Sequence, residues 1–210
     1  MMMETLQKIR QSPVIAILRG VNTTALEPVL EALCHGGIRN VEITMNTPGS
    51  LAMMERAREL YGDRMCLGAG TVLDAVSARN AILAGADFLL APSLSAGMIE
   101  MCHLYGRLAV PGVFTATEVV QAQQAGAGLI KVFPVGSVGP AYIKDLRGPL
   151  DHVNLLPVGG VDLSNIRAFM KAGAFAVGVG SCLVSIGDIL EGNYDTIRER
   201  AEQFIREAIL

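Results

Sequence analysis

Paired cysteines and clustered histidines are missing from this sequence. Cys34, Cys66, Cys102 and Cys182 stand singly, without the short spacings of zinc sites or redox dithiols, so four buried thiols are expected. His35, His103 and His152 are equally dispersed, and none has a second histidine or a carboxylate at ligand spacing. A metal site would have to be assembled from residues distant in sequence, and none is expected. No run of like charge suggests a basic arm or an acidic tail, and 17 basic against 20 acidic residues give no reason to expect nucleic acid as a partner. No uninterrupted apolar stretch is long enough to span a bilayer, and residues 1–10 read as a short polar helix without the apolar core of a signal segment. A soluble, cytoplasmic protein without membrane contact is the expectation. No GxGxxG or Walker-type segment precedes a helix, so a nucleotide cofactor is not expected either.

What the chain does have is apolar bulk: 51% of its 210 residues are hydrophobic, enough for one large α/β domain or two small ones. No linker or low-complexity segment divides it, which favours a single domain over 1–210. Gly37, Gly62, Gly85, Gly106, Gly126, Gly148 and Gly173 punctuate the sequence. Most follow an amphipathic stretch, such as 23–34, 74–84, 115–125 or 163–172, where glycine supplies the left-handed conformation that ends a helix. Each is followed by a short apolar run, and with the run at 14–18 these lie at 41–45, 65–68, 88–91, 108–110, 129–133, 154–158 and 175–179. Runs apolar on both faces belong to parallel strands covered by helices. Eight of them predict an α/β fold, a TIM (βα)8 barrel with a short N-terminal helix. A flavodoxin-like open sheet is the alternative, but it usually needs fewer units.

Active sites of such barrels gather at the C-terminal strand ends, so polar residues there are read as chemistry first. The foremost is Lys131, which interrupts the run Gly128-Leu129-Ile130-Lys131-Val132-Phe133-Pro134. Apolar surroundings lower the pKa of a lysine, and a neutral amine is a Schiff-base nucleophile. The competing account is a packed stem whose ammonium reaches water. Period two places Glu42 on one face of its strand with Thr44 and Asn46, and Lys131 on one face with Leu129 and Phe133. If both faces point into the barrel, Glu42 can shuttle protons for Lys131; otherwise the two make a plain ion pair.

Gly159-Gly160 and Gly180-Ser181 follow the seventh and eighth strands, where TIM barrels commonly bind phosphate through backbone N–H groups, a hydroxyl and a helix N-terminus. Thr71 either donates a hydroxyl to a substrate carboxylate or caps the next helix. Arg19 offers a fork for a carboxylate or phosphate, or a salt bridge at the rim. Phe133 packs against whatever Lys131 binds, or simply fills core. Pro92 ends the fourth strand and Val158 the seventh, and both join the candidate substrate-binding set.

These segments together resemble the class I aldolases for 2-keto-3-deoxy-6-phosphogluconate (KDPG) and 4-hydroxy-2-oxoglutarate (KHG). The likeness rests on Gly36-Gly37-Ile38 leading to Val41-Glu42-Ile43-Thr44, on Gly68-Ala69-Gly70-Thr71-Val72, and on Pro111-Gly112-Val113. It continues through Leu129-Ile130-Lys131-Val132-Phe133-Pro134, Gly159-Gly160-Val161 and Gly178-Val179-Gly180-Ser181. The resemblance implies Lys131 as the Schiff-base lysine, Glu42 as general acid/base, Thr71 as a ligand of the pyruvyl carboxylate, and Gly160 with Ser181 in a phosphate site. It implies a phosphorylated keto acid and pyruvate as ligands, no cofactor, and a homotrimer. Two departures from the family pattern stand out. Asn46 occupies the place of an arginine common in gluconate-type members, so that Arg19 becomes a substitute. Val158 replaces the threonine of Pro-Thr-Gly-Gly. Both, with Gly139-Pro140-Ala141-Tyr142-Ile143-Lys144, look like the branch acting on the galactonate epimer (KDPGal). The other readings of the residues are KHG cleavage to pyruvate and glyoxylate, a phosphosugar isomerase, epimerase or decarboxylase, and a noncatalytic phosphosugar-binding barrel.

Overall fold

Residues 14–18 are apolar on both faces, and in the computed structural model, which describes residues 1–209, they form the first strand of a ring, β1 (Val14–Leu18). Around it run β2 (Asn40–Thr44), β3 (Cys66–Gly70), β4 (Phe88–Leu90), β5 (Leu108–Val110), β6 (Gly112–Val113), β7 (Ile130–Val132), β8 (Leu155–Pro157) and β9 (Val177–Val179). All ladders are parallel, in the orders β5-β4-β3-β2-β1-β9 and β6-β7-β8. β5 and β6 are two halves of one strand broken at Pro111, which has no N–H to give to a ladder. The first half pairs with β4 and the second with β7. A bridge between Val158 and Gly178 links the last two strands and closes the ring. The fold is the expected TIM barrel.

The helices are α1 (Met2–Gln11), α2 (Leu26–His35), α3 (Ser50–Tyr61), α4 (Ala75–Leu83), α5 (Ala96–Leu104), α6 (Ala116–Gln124), α7 (Gly139–Arg147), α8 (Ile166–Lys171), α9 (Ile186–Leu190) and α10 (Tyr194–Ile209). Side-chain caps from Asp74, Ser95, Thr115 and Ser185 start four of them, and Thr115 with Glu118 completes a capping box. α2 begins later than the expected 23, because Asn22 Oδ1 accepts the Ala25 N–H at 2.8 Å and holds the preceding residues in a turn. α10 lies beyond the last expected strand and buries Ile197, Ala201, Phe204 and Ala208, one face at helical spacing. None of the helices among the described residues is long and apolar enough to cross a membrane.

Two apolar layers result. Between strands and helices lies the larger cluster, while the barrel lumen holds Ile15, Ile17, Phe88, Leu108, Leu129 and Leu156. Ile9 of α1, with Leu6 and Met2 beside it, plugs the N-terminal end of the lumen. Phe88 is fully buried there, and its truncation to alanine would cost roughly 3–5 kcal/mol.

Two expectations need correction. Gly62 and Gly148 end their helices with φ of −56° and −54°, so they are right-handed, whereas Gly37, Gly85, Gly106, Gly126 and Gly173 have the expected positive φ. The third strand runs to Gly70 rather than 68, because Thr44 of β2 continues the ladder against it. Poor strand propensity of glycine is overridden there by pairing.

Candidate active site

Register carries one row of side chains up the inside of each strand. Ile17 stands beside Glu42 and Glu42 beside Gly68; across the barrel, Lys131 stands between Gly112 and Leu156. Glu42 and Lys131 therefore approach from opposite walls. They are 1% and 4% exposed, so the ammonium of Lys131 does not reach water as a snorkelling lysine would. The plain ion pair is not formed either: the ion pairs among the described residues do not include these two, and Glu42 Oε2 is buried without a hydrogen-bond partner. Lys131 Nζ sits 4.8 Å from the centroid of the Phe133 ring.

Burial pushes the Lys131 ammonium below its ordinary pKa; Glu42 opposes this and Arg19 adds to it. Burial likewise pushes the Glu42 carboxyl up, against the pull of Lys131 and Arg19. Desolvation is the largest influence on both, and each is driven toward its neutral form. A neutral amine facing a neutral acid is the pair that carbonyl addition and dehydration require.

Above them opens a cavity of about 440 Å³ at the C-terminal strand ends. It joins Arg19, Phe133, Val158, Gly159, Gly160, Gly180 and Ser181 of the expected set. Phe133 is the joint between cavity and lysine, since its ring lines the one and covers the other. After Gly180, the N–H groups of Leu183 and Val184 both return to the Gly180 carbonyl, closing a helical turn beside Ser181. The first amides of such a turn have no acceptor inside it.

Lys131 and Glu42 lie beneath this cavity and not in its lining, and three of the expected substrate-binding residues also stand outside it. Asn46 is exposed on the turn after β2, and Pro92 is half-buried against the backbone of Gly112. Thr71 is half-buried at the end of β3 and is the one non-glycine of positive φ among the described residues, at 59°. Its left-handed backbone is a strained state of the kind found at binding sites. It does not cap the next helix: Asp74 does, accepting the Ser77 N–H at 2.8 Å.

Asp162 and Cys182 also line the cavity, and no motif or spacing marks either of them as a site residue. Cys182 corrects the expectation of four buried thiols, since it is exposed, with its Sγ 3.2 Å from the Val161 carbonyl. Burial raises the thiols of Cys66 and Cys102, the latter to about 12, which makes both inert. Among the described residues no group of three His, Cys, Asp or Glu side chains could hold a metal ion.

Known proteins share this fold. A family model described as KDPG and KHG aldolase matches residues 5–200. Over 180 residues, 85% of this chain and 88% of the relative, there is 34% identity to the 2-dehydro-3-deoxy-6-phosphogalactonate aldolase of Escherichia coli (strain K12). A solved structure described as native KDPGal superposes with a TM-score of 0.88 at 32% identity, covering 93% of both chains. A KDPG aldolase from Legionella pneumophila, with pyruvate captured as a covalent carbinolamine intermediate, superposes with a TM-score of 0.86 at 26% identity, over 94% of this chain and 96% of its own.

Proposed function

The chain belongs to the KDPG and KHG aldolase family, and from that premise we propose that Lys131 and Glu42 are its catalytic pair. The enzyme is a class I aldolase that reversibly cleaves a 2-keto-3-deoxy-6-phosphoaldonate to pyruvate and D-glyceraldehyde 3-phosphate. The observation that carries the assignment of residues is a buried lysine amine without an ion-pair partner, facing a buried glutamate with an unpartnered oxygen.

The neutral amine of Lys131 attacks the C2 ketone, forming the C–N bond of a carbinolamine. Glu42 gives its proton to the C2 hydroxyl, which leaves as water, and a protonated imine remains. Glu42, now a carboxylate, takes the proton of the C4 hydroxyl. The C3–C4 bonding pair flows into the imine, and glyceraldehyde 3-phosphate departs from the resulting enamine. Reprotonation of C3 and hydrolysis of the imine release pyruvate and regenerate Lys131. The sequence Gly159-Gly160 with Gly180-Ser181 cradles the phosphate, Thr71 takes the pyruvyl carboxylate, and Phe133 lies against the reacting carbons. Arg19 supplies a cation and Val158 shapes the cavity wall, while Asn46 and Pro92 stand at neighbouring strand ends outside the cavity. Binding energy at two anionic ends positions the ketone, so no cofactor is called upon.

Val158, and the identity to an Escherichia coli relative named for the phosphogalactonate, support turnover of the galactonate epimer at a rate at least comparable to that of the gluconate. The chain works as one barrel domain, as a water-soluble homotrimer in the cytoplasm.

Pyruvate forms the imine with Lys131, and hydride from borohydride adds to the imine carbon, which should leave a 1-carboxyethyl group on the Lys131 amine, located by peptide mass mapping. Pyruvate release from the phosphoaldonates, read with lactate dehydrogenase, should accompany it. Unmodified wild-type protein, together with full activity in Lys131→Ala, would remove Lys131 from the mechanism. A barrel that only binds phosphosugars, or isomerises them, releases no pyruvate in that assay.

A further inference from the structure

Arg19 lines the cavity, yet it has no carboxylate partner among the described residues. Its place is set instead through the backbone on either side of it. The Gly20 N–H donates to Thr47 Oγ1 at 3.0 Å, and Thr44 Oγ1 donates to the Leu18 carbonyl at 3.3 Å. The two hydroxyl oxygens lie 2.9 Å apart. A hydroxyl has one proton to give. Thr44 spends its proton on Leu18, so Thr47 donates to Thr44 and keeps a lone pair for Gly20. All three bonds are filled by this one direction of donation, from Gly20 through Thr47 and Thr44 to Leu18.

Both threonines are buried, at 4% and 0% exposure, so the chain is shielded from competing water. The Thr47 N–H also bonds the Thr44 carbonyl at 2.9 Å, which locks the two hydroxyls into one turn. Gly20 itself has φ of +68° and would leave the loop loose without an anchor. Thr44 stands two residues beyond Glu42 on the inward face of β2, so one strand carries both the proton carrier and the clamp.

We propose that Thr44 and Thr47 are positioning residues, which hold the peptide groups flanking Arg19 and so aim its guanidinium at an anionic group of the bound keto acid. The charge of Arg19 bears on both buried groups, lowering the pKa of Lys131 and of Glu42, so its location matters to the reacting pair as well as to binding. The proposal rests on the aldolase reading for the identity of the anion, carboxylate or phosphate, and not for the clamp.

Thr47→Val keeps the shape and removes the hydroxyl, while Thr47→Ser keeps the hydroxyl. The Thr47→Val enzyme should show a KM for the phosphoaldonate about tenfold above wild type, the effect of one lost hydrogen bond, and Thr47→Ser should retain the wild-type KM. In an Arg19→Ala background the valine substitution should add nothing further, because the residue it positions is gone. The pyruvate concentration for half-maximal borohydride trapping rises in Thr47→Val if Arg19 serves the carboxylate and stays constant if it serves the phosphate; either result, with the raised KM, supports the clamp. Independently of catalysis, amide exchange at Gly20 should be about tenfold faster in Thr47→Val than in wild type or Thr47→Ser. An unchanged Gly20 exchange rate overturns the clamp, and so does a KM effect that persists undiminished without Arg19. A wild-type enzyme that releases no pyruvate overturns the aldolase reading alone, and the exchange rates then still decide the clamp. Should Thr47→Val fail to fold, Thr44→Val breaks the same chain and is expected to behave alike.

Discussion

A Cβ placed on Gly70 would lie 1.5 Å from Oε1 of Glu42. The third strand gives up a side chain so that the carboxyl of the second can lean over it toward the cavity, one rung above its own partner Gly68. Gly70→Ala is therefore expected to push the carboxyl aside. A misplaced acid/base group costs about a hundredfold or more in kcat, and overpacking adds roughly 1–3 kcal/mol of destabilisation. Steady-state cleavage assays on a variant shown to be folded by circular dichroism check this. A kcat within about twofold of wild type would detach Glu42 from the rate-limiting proton transfers.

Lys131 is held below its ordinary pKa by burial, which makes it a stability liability with a defined pH dependence. Above 10.5, the usual value, the amine is neutral in both the folded and unfolded chain and burial costs nothing in charge. As pH falls below that value the unfolded chain binds a proton that the folded chain refuses, and the penalty grows until the depressed folded pKa is passed. Lys131→Met should thus melt higher than wild type at neutral pH, with the difference shrinking toward pH 10.5. Glu42 acts in the same direction, because without Lys131 its carboxyl is pushed higher still and costs the variant more as pH rises. Melting curves across the range decide it, and a gap that widens with pH contradicts the burial argument.

Lys131 and Glu42 were legible because each breaks a pattern: an amine in a run of hydrophobes, and a carboxylate on the inward period of a strand that should be apolar. The glycine pair at 159–160 and the single Gly180 were legible as gaps in side-chain coverage at the two strand ends where TIM barrels commonly bind anions. What could not be read is adjacency between distant segments. Thr47 and Gly20 are 27 positions apart, and nothing local says that one hydroxyl accepts the other's N–H. Gly70 looks like a turn glycine until the carboxyl of Glu42 is seen in the space it leaves. Asn46 shares its strand's inward period, yet the chain has already turned by Thr47, which leaves the amide exposed.

Gly160 carries φ of +98°, and a Cβ on it would lie 2.3 Å from the Cα of Gly136. Both the torsion and the contact with the loop after β7 exclude a side chain, and no rotamer relieves a clash with backbone. Gly160→Ala should pull the loop off the cavity and raise KM for phosphorylated substrates about tenfold or more, the torsion alone accounting for roughly 1 kcal/mol. Trapping of unphosphorylated pyruvate on Lys131 should change far less. Equal losses on both measurements would place Gly160 outside the phosphate site.

Val158 tests what decides the stereochemistry at C4. Its side chain is 4% exposed, lines the cavity, and fills the room left by Gly178, where a Cβ would approach Val158 Cγ2 to 2.7 Å. Threonine has the same shape, so Val158→Thr changes one methyl into a hydroxyl without moving the strand. The buried hydroxyl should cost roughly 1–3 kcal/mol of stability if no partner takes it. A substrate hydroxyl of the matching configuration can be that partner, whereas its epimer points away and leaves the polar group unpaired. A site able to hydrogen-bond one configuration discriminates more sharply than one that only fits its shape. The ratio of kcat/KM for the gluconate over the galactonate phosphate should accordingly rise about tenfold or more in Val158→Thr. Side-by-side lactate dehydrogenase assays on the two epimers measure it, and a ratio identical to wild type would move stereochemical choice from Val158 to other residues at the cavity.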